Sequence, residues 1–244
     1  MIINPLIGLI SATEKEGRII LRRLKKCQEK GFHTGRIKDI GIVYAVSGIG
    51  KTNASHTATL MIERFHPGLI INFGIGGAYP SSDLRIGDIA IAEKEIYGDE
   101  GLLLRDGFHT ADFIGIPLLE RGRKKYFNEF ILNKRLTKKM LRVLSNSSSP
   151  LSPVAKVKTG TFITVSASTG TIKRAKSIER MFGALCENME GAAVAHICAM
   201  YGTPMLEIRG ISNIVEERDR KKWDIEKSSF HCQLALIEFF AKSF

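Results

Sequence analysis

Residues 186–213, reading CENMEGAAVAHICAMYGTPMLEIRGISN, constrain the fold of this chain more than any other stretch. A short apolar strand at 184–187 gives way at Met189 and Glu190 to a helix, with Asn188 as its expected N-cap. Ala193, Val194, Ile197, Cys198 and Met200 recur at mixed three- and four-residue spacing to about Tyr201, where Gly202 and then Pro204 supply the stop. A second short apolar strand, 205–211, follows; it carries Glu207 and Arg209 inside it and ends in Ser212 and Asn213. In α/β sheets ligands gather beyond the carboxyl ends of strands, so Glu190 and Asn213 are expected to face one crevice. Alone, a Glu at a helix start is only a favourable partner for the helix dipole. The pairing with a second polar strand end is what points to a site.

The rest of the chain repeats this alternation. LIGLIS at 6–11 reads as a buried parallel strand, and Glu16 falls in the first turn of the helix that follows, on the same side of the sheet as Glu190 and Asn213. GIVYAVS at 41–47 is a second strand, with GIGKT opening a helix to about Arg64. That turn is not a phosphate loop: the motif needs a glycine five residues before Gly50, and Ala45 stands there. It also fails as a dinucleotide fingerprint, because residue 53 is Asn. LIINF at 69–73 is a third strand, expected to end in a glycine-rich turn at 74–77 that lets a ligand approach the backbone. Residues 86–97 alternate partly like a strand pair, 102–117 read as irregular, and 133–144 as a helix before a Ser/Pro loop at 145–153. Another strand region (154–165), a basic helix to about Arg180 and a C-terminal helix at 225–242 complete the pattern. The expected fold class is α/β, one domain over 1–244, with a central mixed, twisted sheet flanked by helices.

NMEGAAVAHICAMYG followed by EIRGISN resembles the nucleoside phosphorylase/nucleosidase superfamily. The resemblance runs from Leu6 to Asn213, is carried also by the Glu16 turn, the 74–77 glycines and Tyr97-Gly-Asp-Glu-Gly101, and is weakest over 102–152. It implies a nucleoside phosphorylase-like fold, with Met189 and Glu190 on the ribose, Gly74, Gly76 and Gly77 lining its water or phosphate side, Ser212 and Asn213 on the purine, and Glu16 as the base that activates water. Adenine-acting nucleosidases of the family carry Asp where this chain has Asn213. That departure resembles the futalosine hydrolase branch and implies release of hypoxanthine, since an amide can accept from N7–H and donate to a 6-oxo group. Phe162 is a candidate purine-stacking residue. The resemblance implies a homo-oligomer in which 102–117 takes part, and the chemistry requires neither metal nor organic cofactor.

Composition narrows the alternatives. With 244 residues, 44% hydrophobic and 25% charged, the proportions are those of a globular domain. The apolar N-terminal run stops at Thr13-Glu-Lys-Glu16, too short to span a bilayer, and lacks a basic leader, so a cytoplasmic protein without a membrane partner is expected. Four cysteines without CxxC or CxxH spacing indicate neither disulfides nor zinc. The net charge of +11 is concentrated at 121–142; without a recognisable nucleic-acid motif, it reads as a solvated face rather than a nucleic-acid site. Open alternatives are a methylthioadenosine/S-adenosylhomocysteine (or aminofutalosine) nucleosidase, a 6-oxopurine nucleoside phosphorylase, and a nucleic-acid-binding protein.

Overall fold

A computed structural model describes residues 6–146, 148–149, 151 and 154–243. Residues 1–5, part of the Ser/Pro loop (147, 150, 152 and 153) and 244 lie outside the described residues. The chain begins β1 (Ile7–Ser11), α1 (Glu14–Leu21), β2 (Lys25–Lys26), β3 (Phe32–Ile37), β4 (Ile40–Val46) and α2 (Lys51–Phe65). It continues β5 (Leu69–Ala78), β6 (Ile89–Tyr97), β7 (Gly101–Leu104), β8 (Gly107–Thr110), α3 (Ala111–Ile114), β9 (Leu119–Arg121) and β10 (Lys124–Tyr126). Then come β11 (Glu129–Ile131), α4 (Lys134–Leu144), β12 (Val157–Thr164), α5 (Ile172–Phe182) and β13 (Ala184–Asn188). The last elements are α6 (Gly191–Tyr201), β14 (Met205–Ile214) and α7 (Ile225–Ser243).

One ten-stranded mixed sheet organises the molecule. Its open arm runs β5, β1, β4, β3, β2, with β1 parallel to both β4 and β5. The other half closes on itself: β14 pairs with β5 and β6, β6 with β12, β12 with β13, and β13 back with β5. Strands β1, β5 and β14 are buried along most of their length because helices cover both faces, and β1 and the first half of β5 are correspondingly apolar. On one face α2 and α6 pack against Ile10, Ile70 and Phe162; on the other α1, α4 and α7 enclose Leu9, Ile71 and Phe239. Helix α6 is apolar nearly all round and correspondingly buried over most of its length.

Several expectations need correction. Residues 74–77 (Gly-Ile-Gly-Gly) do not form a turn; they continue β5 to Ala78, where β14 and β13 pair with them. Residues 86–97 hold one strand, β6 from Ile89 to Tyr97, rather than a pair. The supposedly irregular 102–117 contain the β7–β8 hairpin and the short helix α3. The basic 121–142 stretch divides between the β9–β10 hairpin, β11 and α4, the last capped by Asn133, whose side chain accepts from Leu136 N–H. Strand β14 runs through Asn213 to Ile214, with an irregularity between Ile211 and Asn213 that brings Asn213 opposite Gly77.

Candidate active site

Glu16 is placed by a capping box. Thr13 N–H and Oγ1 donate to its Oε2 at 2.8 and 2.9 Å, fixing the first turn of α1 at the carboxyl end of β1. Its Oε1 accepts from Ile75 N–H at 2.9 Å, so the carboxylate spans from α1 to β5. Gly74 explains why a glycine is needed there: a Cβ would come within 2.3 Å of Glu16 Oε1 and 3.1 Å of Arg209 Nη1, and φ is +157°. Gly76 and Gly77 serve packing of the same kind, against Cys186 Sγ and against Val215 and Asn213 Nδ2.

Glu190 stands between the end of β13 and the start of α6. The N-cap of α6 is Glu190 rather than the expected Asn188, which closes β13; Asn188 Oδ1 nevertheless accepts from Glu190 N–H at 2.9 Å and Gly191 N–H at 2.7 Å. Glu190 Oε1 accepts from Gly50 N–H at 3.0 Å, which gives the GIGKT turn its work here, with Gly48 and Gly50 both at positive φ. Lys51 next to it pairs with Asp99 and, at 2.9 Å, with Glu100; Asp99 Oδ2 in turn accepts from Ser166 N–H at 2.6 Å. Met189 is half-buried beneath this rim, 3.4 Å from Ser168 Oγ.

Between the two acids lies Arg209, only 1% exposed. Its Nη1 is 3.5 Å from Glu190 Oε2, its Nε donates to Glu207 Oε1 at 2.9 Å, and its charge acts on Glu16. Burial pushes the Glu16 carboxyl above its ordinary value of 4.5, opposed by Arg209 and the Ile75 N–H. A carboxylate with a raised affinity for protons beside open backbone is suited to general-base work.

Asn213 is half-buried at the end of β14, with Oδ1 2.8 Å from Ser212 Oγ and Nδ2 donating to Ile214 O at 3.2 Å. Ser212 Oγ also lies 3.2 Å from Gly76 O. Glu16 and Asn213 both meet β5, at Ile75 and Gly77, and Arg209, whose Nη1 lies 3.4 Å from Ile75 O, links Glu190 to the same strand, while Phe162 is wholly buried in the core. Arg209 is a site residue that strand-end positions do not indicate. A charged pair two apart in an otherwise apolar strand, Glu207 and Arg209 on one face, is the signal that marks it.

The architecture has counterparts among known proteins. The phosphorylase superfamily profile matches residues 6–241. The futalosine hydrolase of Thermus thermophilus is 33% identical over 77% of this chain and 76% of its own. The 5'-methylthioadenosine/S-adenosylhomocysteine nucleosidase of Geobacillus kaustophilus is 30% identical over 86% of this chain and 85% of its own. The solved 5'-methylthioadenosine/S-adenosylhomocysteine nucleosidase of Colwellia psychrerythraea, in complex with adenine, superposes with a TM-score of 0.82 at 23% identity, covering 98% of this chain and 95% of that one. The chain belongs to the phosphorylase superfamily and is an enzyme of its nucleosidase family, an N-glycosyl hydrolase.

Proposed function

We propose that this enzyme hydrolyses the N-glycosidic bond of futalosine, releasing hypoxanthine and dehypoxanthine futalosine, a step of menaquinone biosynthesis. Asn213, an amide at the end of β14, is the observation that carries the choice of base. As C1′–N9 breaks, positive charge grows on the ribose and negative charge on the purine. Glu190 engages the ribose hydroxyls and stabilises the developing cation. Glu16 takes a proton from the attacking water, whose oxygen bonds to C1′. The purine leaves protonated from solvent at N7; Asn213 Oδ1 accepts from that N7–H and its Nδ2 donates to the 6-oxo group. Met189, Ser212, Gly74, Gly76 and Gly77 shape the walls around the reacting atoms.

The reading extends to a homo-oligomer. Leu103 (83% exposed), Phe113 (59%) and Ile116 (69%) present an apolar surface on and beside the β7–β8 hairpin, and this hairpin begins directly after Asp99 and Glu100, which hold Lys51 beside the site. A second copy covering it would border the crevice. Methylthioadenosine/S-adenosylhomocysteine hydrolysis is the second reading, supported by the Geobacillus kaustophilus relative. Asn213→Asp separates the two. An acid at 213 suits a 6-amino purine, so the variant loses futalosine cleavage by roughly tenfold or more, the size of one mismatched buried pair, and gains turnover of 6-amino nucleosides. An unchanged base preference contradicts the assignment.

A further inference from the structure

Behind Glu190 lie two carboxyl groups that the proposed chemistry leaves unused. Glu95 on β6 and Glu207 on β14 are both fully buried, and they meet beneath Gly191. A Cβ at Gly191 would come within 2.1 Å of Glu95 Oε1 and 2.5 Å of both Glu207 oxygens, so only glycine fits above the pair. We propose that Glu95 and Glu207 are positioning residues, a carboxylic acid facing a carboxylate, that hold Arg209 back from Glu190 and anchor the start of α6.

The hydrogen bonds define the division of roles. Glu207 Oε1 takes the Nε–H of Arg209 at 2.9 Å and lies 2.8 Å from its Nη2, whereas Nη1 reaches Glu190 only at 3.5 Å. Glu207 is thus the guanidinium's main partner, and the contact with Glu190 is loose. That looseness leaves Glu190 free to engage ribose hydroxyls. Glu207 Oε2 is buried and, among the described residues, receives no N–H; it is satisfied when Glu95, which meets it beneath Gly191, carries a proton toward it. Burial and the neighbouring Glu207 charge hold that proton on Glu95 well above the ordinary Glu range. Glu95 in turn accepts from Asn188 Nδ2 at 2.6 Å and Thr164 Oγ1 at 2.8 Å. These two side chains bind the head of α6: Asn188 Oδ1 takes the Glu190 and Gly191 N–H groups, and Thr164 Oγ1 takes the Ala192 N–H. One network therefore fixes both the backbone of Glu190 and the cation beside its carboxylate. The titratable groups around it are Glu16 from α1, Glu190 at the head of α6, Cys186 from β13 and Cys232 from α7; burial pushes both thiols up, and they stay neutral.

Two variants test the pair, the kinetic arm resting on the nucleosidase chemistry proposed above. In Glu207→Gln, Arg209 closes on Glu190 and Glu16: kcat/KM falls about tenfold, with KM rising because the ribose partner is occupied, and the acid limb of the pH profile moves to lower pH as Glu16 loses its proton more readily. Glu95→Gln keeps a neutral donor toward Glu207 but has one acceptor oxygen where Glu95 has two, so Arg209 stays on Glu207 and the acid limb of the pH profile does not move, while the lost bond from Asn188 or Thr164 lowers kcat/KM by less than Glu207→Gln does. The second arm needs no turnover. A Glu held protonated in the folded state contributes stability that is complete below its unfolded value near 4.5 and is lost as pH rises through the folded value. Gln does not titrate, so the stability of Glu95→Gln relative to the parent must increase as denaturation is measured from pH 4 toward pH 8. A relative stability that falls over that range overturns the shared proton. A Glu207→Gln enzyme with the parent's KM and pH profile overturns the positioning role. Failure of the parent to release base from any nucleoside sinks the reaction while leaving the denaturation result to be read independently.

Discussion

Glu16 shows how one environment sets both position and chemistry. Its carboxyl is raised by burial and accepts three hydrogen bonds from Thr13 and Ile75, so it ionises later than a surface Glu yet in a fixed orientation. As the base it must be ionised, and activity is therefore expected to rise with pH through a value above 4.5. A pH profile of kcat/KM checks this; a plateau extending below that value contradicts it. Glu16→Gln should lower kcat by about 10²–10⁴-fold and abolish that limb, measured by base release with the fold verified by circular dichroism. At this scale the sequence reveals residues at strand ends: Glu16, Glu190 and Asn213 stand where chain order alone predicts a crevice. Arg209, Glu207 and Glu95 are not visible that way. Each sits inside a strand, and which charged strand residues share a buried face depends on the sheet's closure, formed by β14 bridging β5 and β6.

Glycine is where element and site meet. Read by propensity, 74–77 end a strand; in the fold β14 and β13 pair with them and extend β5, and at Gly74, Gly76 and Gly77 the Glu16 carboxyl, β13 and β14 approach too closely for side chains. Gly74→Ala is expected to displace Glu16, removing most activity, and to cost about 1–3 kcal/mol from overpacking; turnover and chemical denaturation measure the two effects. An active, fully stable Gly74→Ala protein would mean that the close approach to Glu16 is dispensable. The β7–β8 hairpin escaped sequence reading for the opposite reason. Its residues are exposed or half-exposed and show no inward-outward alternation, because within one chain the hairpin packs on little. Strands β1, β4 and β5 and helices α2 and α6 were legible because their apolar runs are buried by the chain itself.

For the whole molecule, the exposed Leu103, Phe113 and Ile116 predict assembly. Leu103→Glu with Ile116→Glu should lower the sedimenting mass to that of one chain and reduce activity, while the single-chain fold, which these side chains barely touch, stays intact. A parent protein that already sediments as a monomer would contradict the assembly. Much of the net charge of +11 lies on the β9–β10 hairpin and α4. Among the described residues no helix is long and apolar enough to cross a membrane.

The most direct test is release of free base by the purified protein from futalosine, inosine and methylthioadenosine, each with and without phosphate. The account predicts hypoxanthine from futalosine at a rate independent of phosphate. Adenine from methylthioadenosine in preference to hypoxanthine from futalosine would contradict the role given to Asn213, and phosphate-dependent cleavage of inosine would contradict water as the nucleophile.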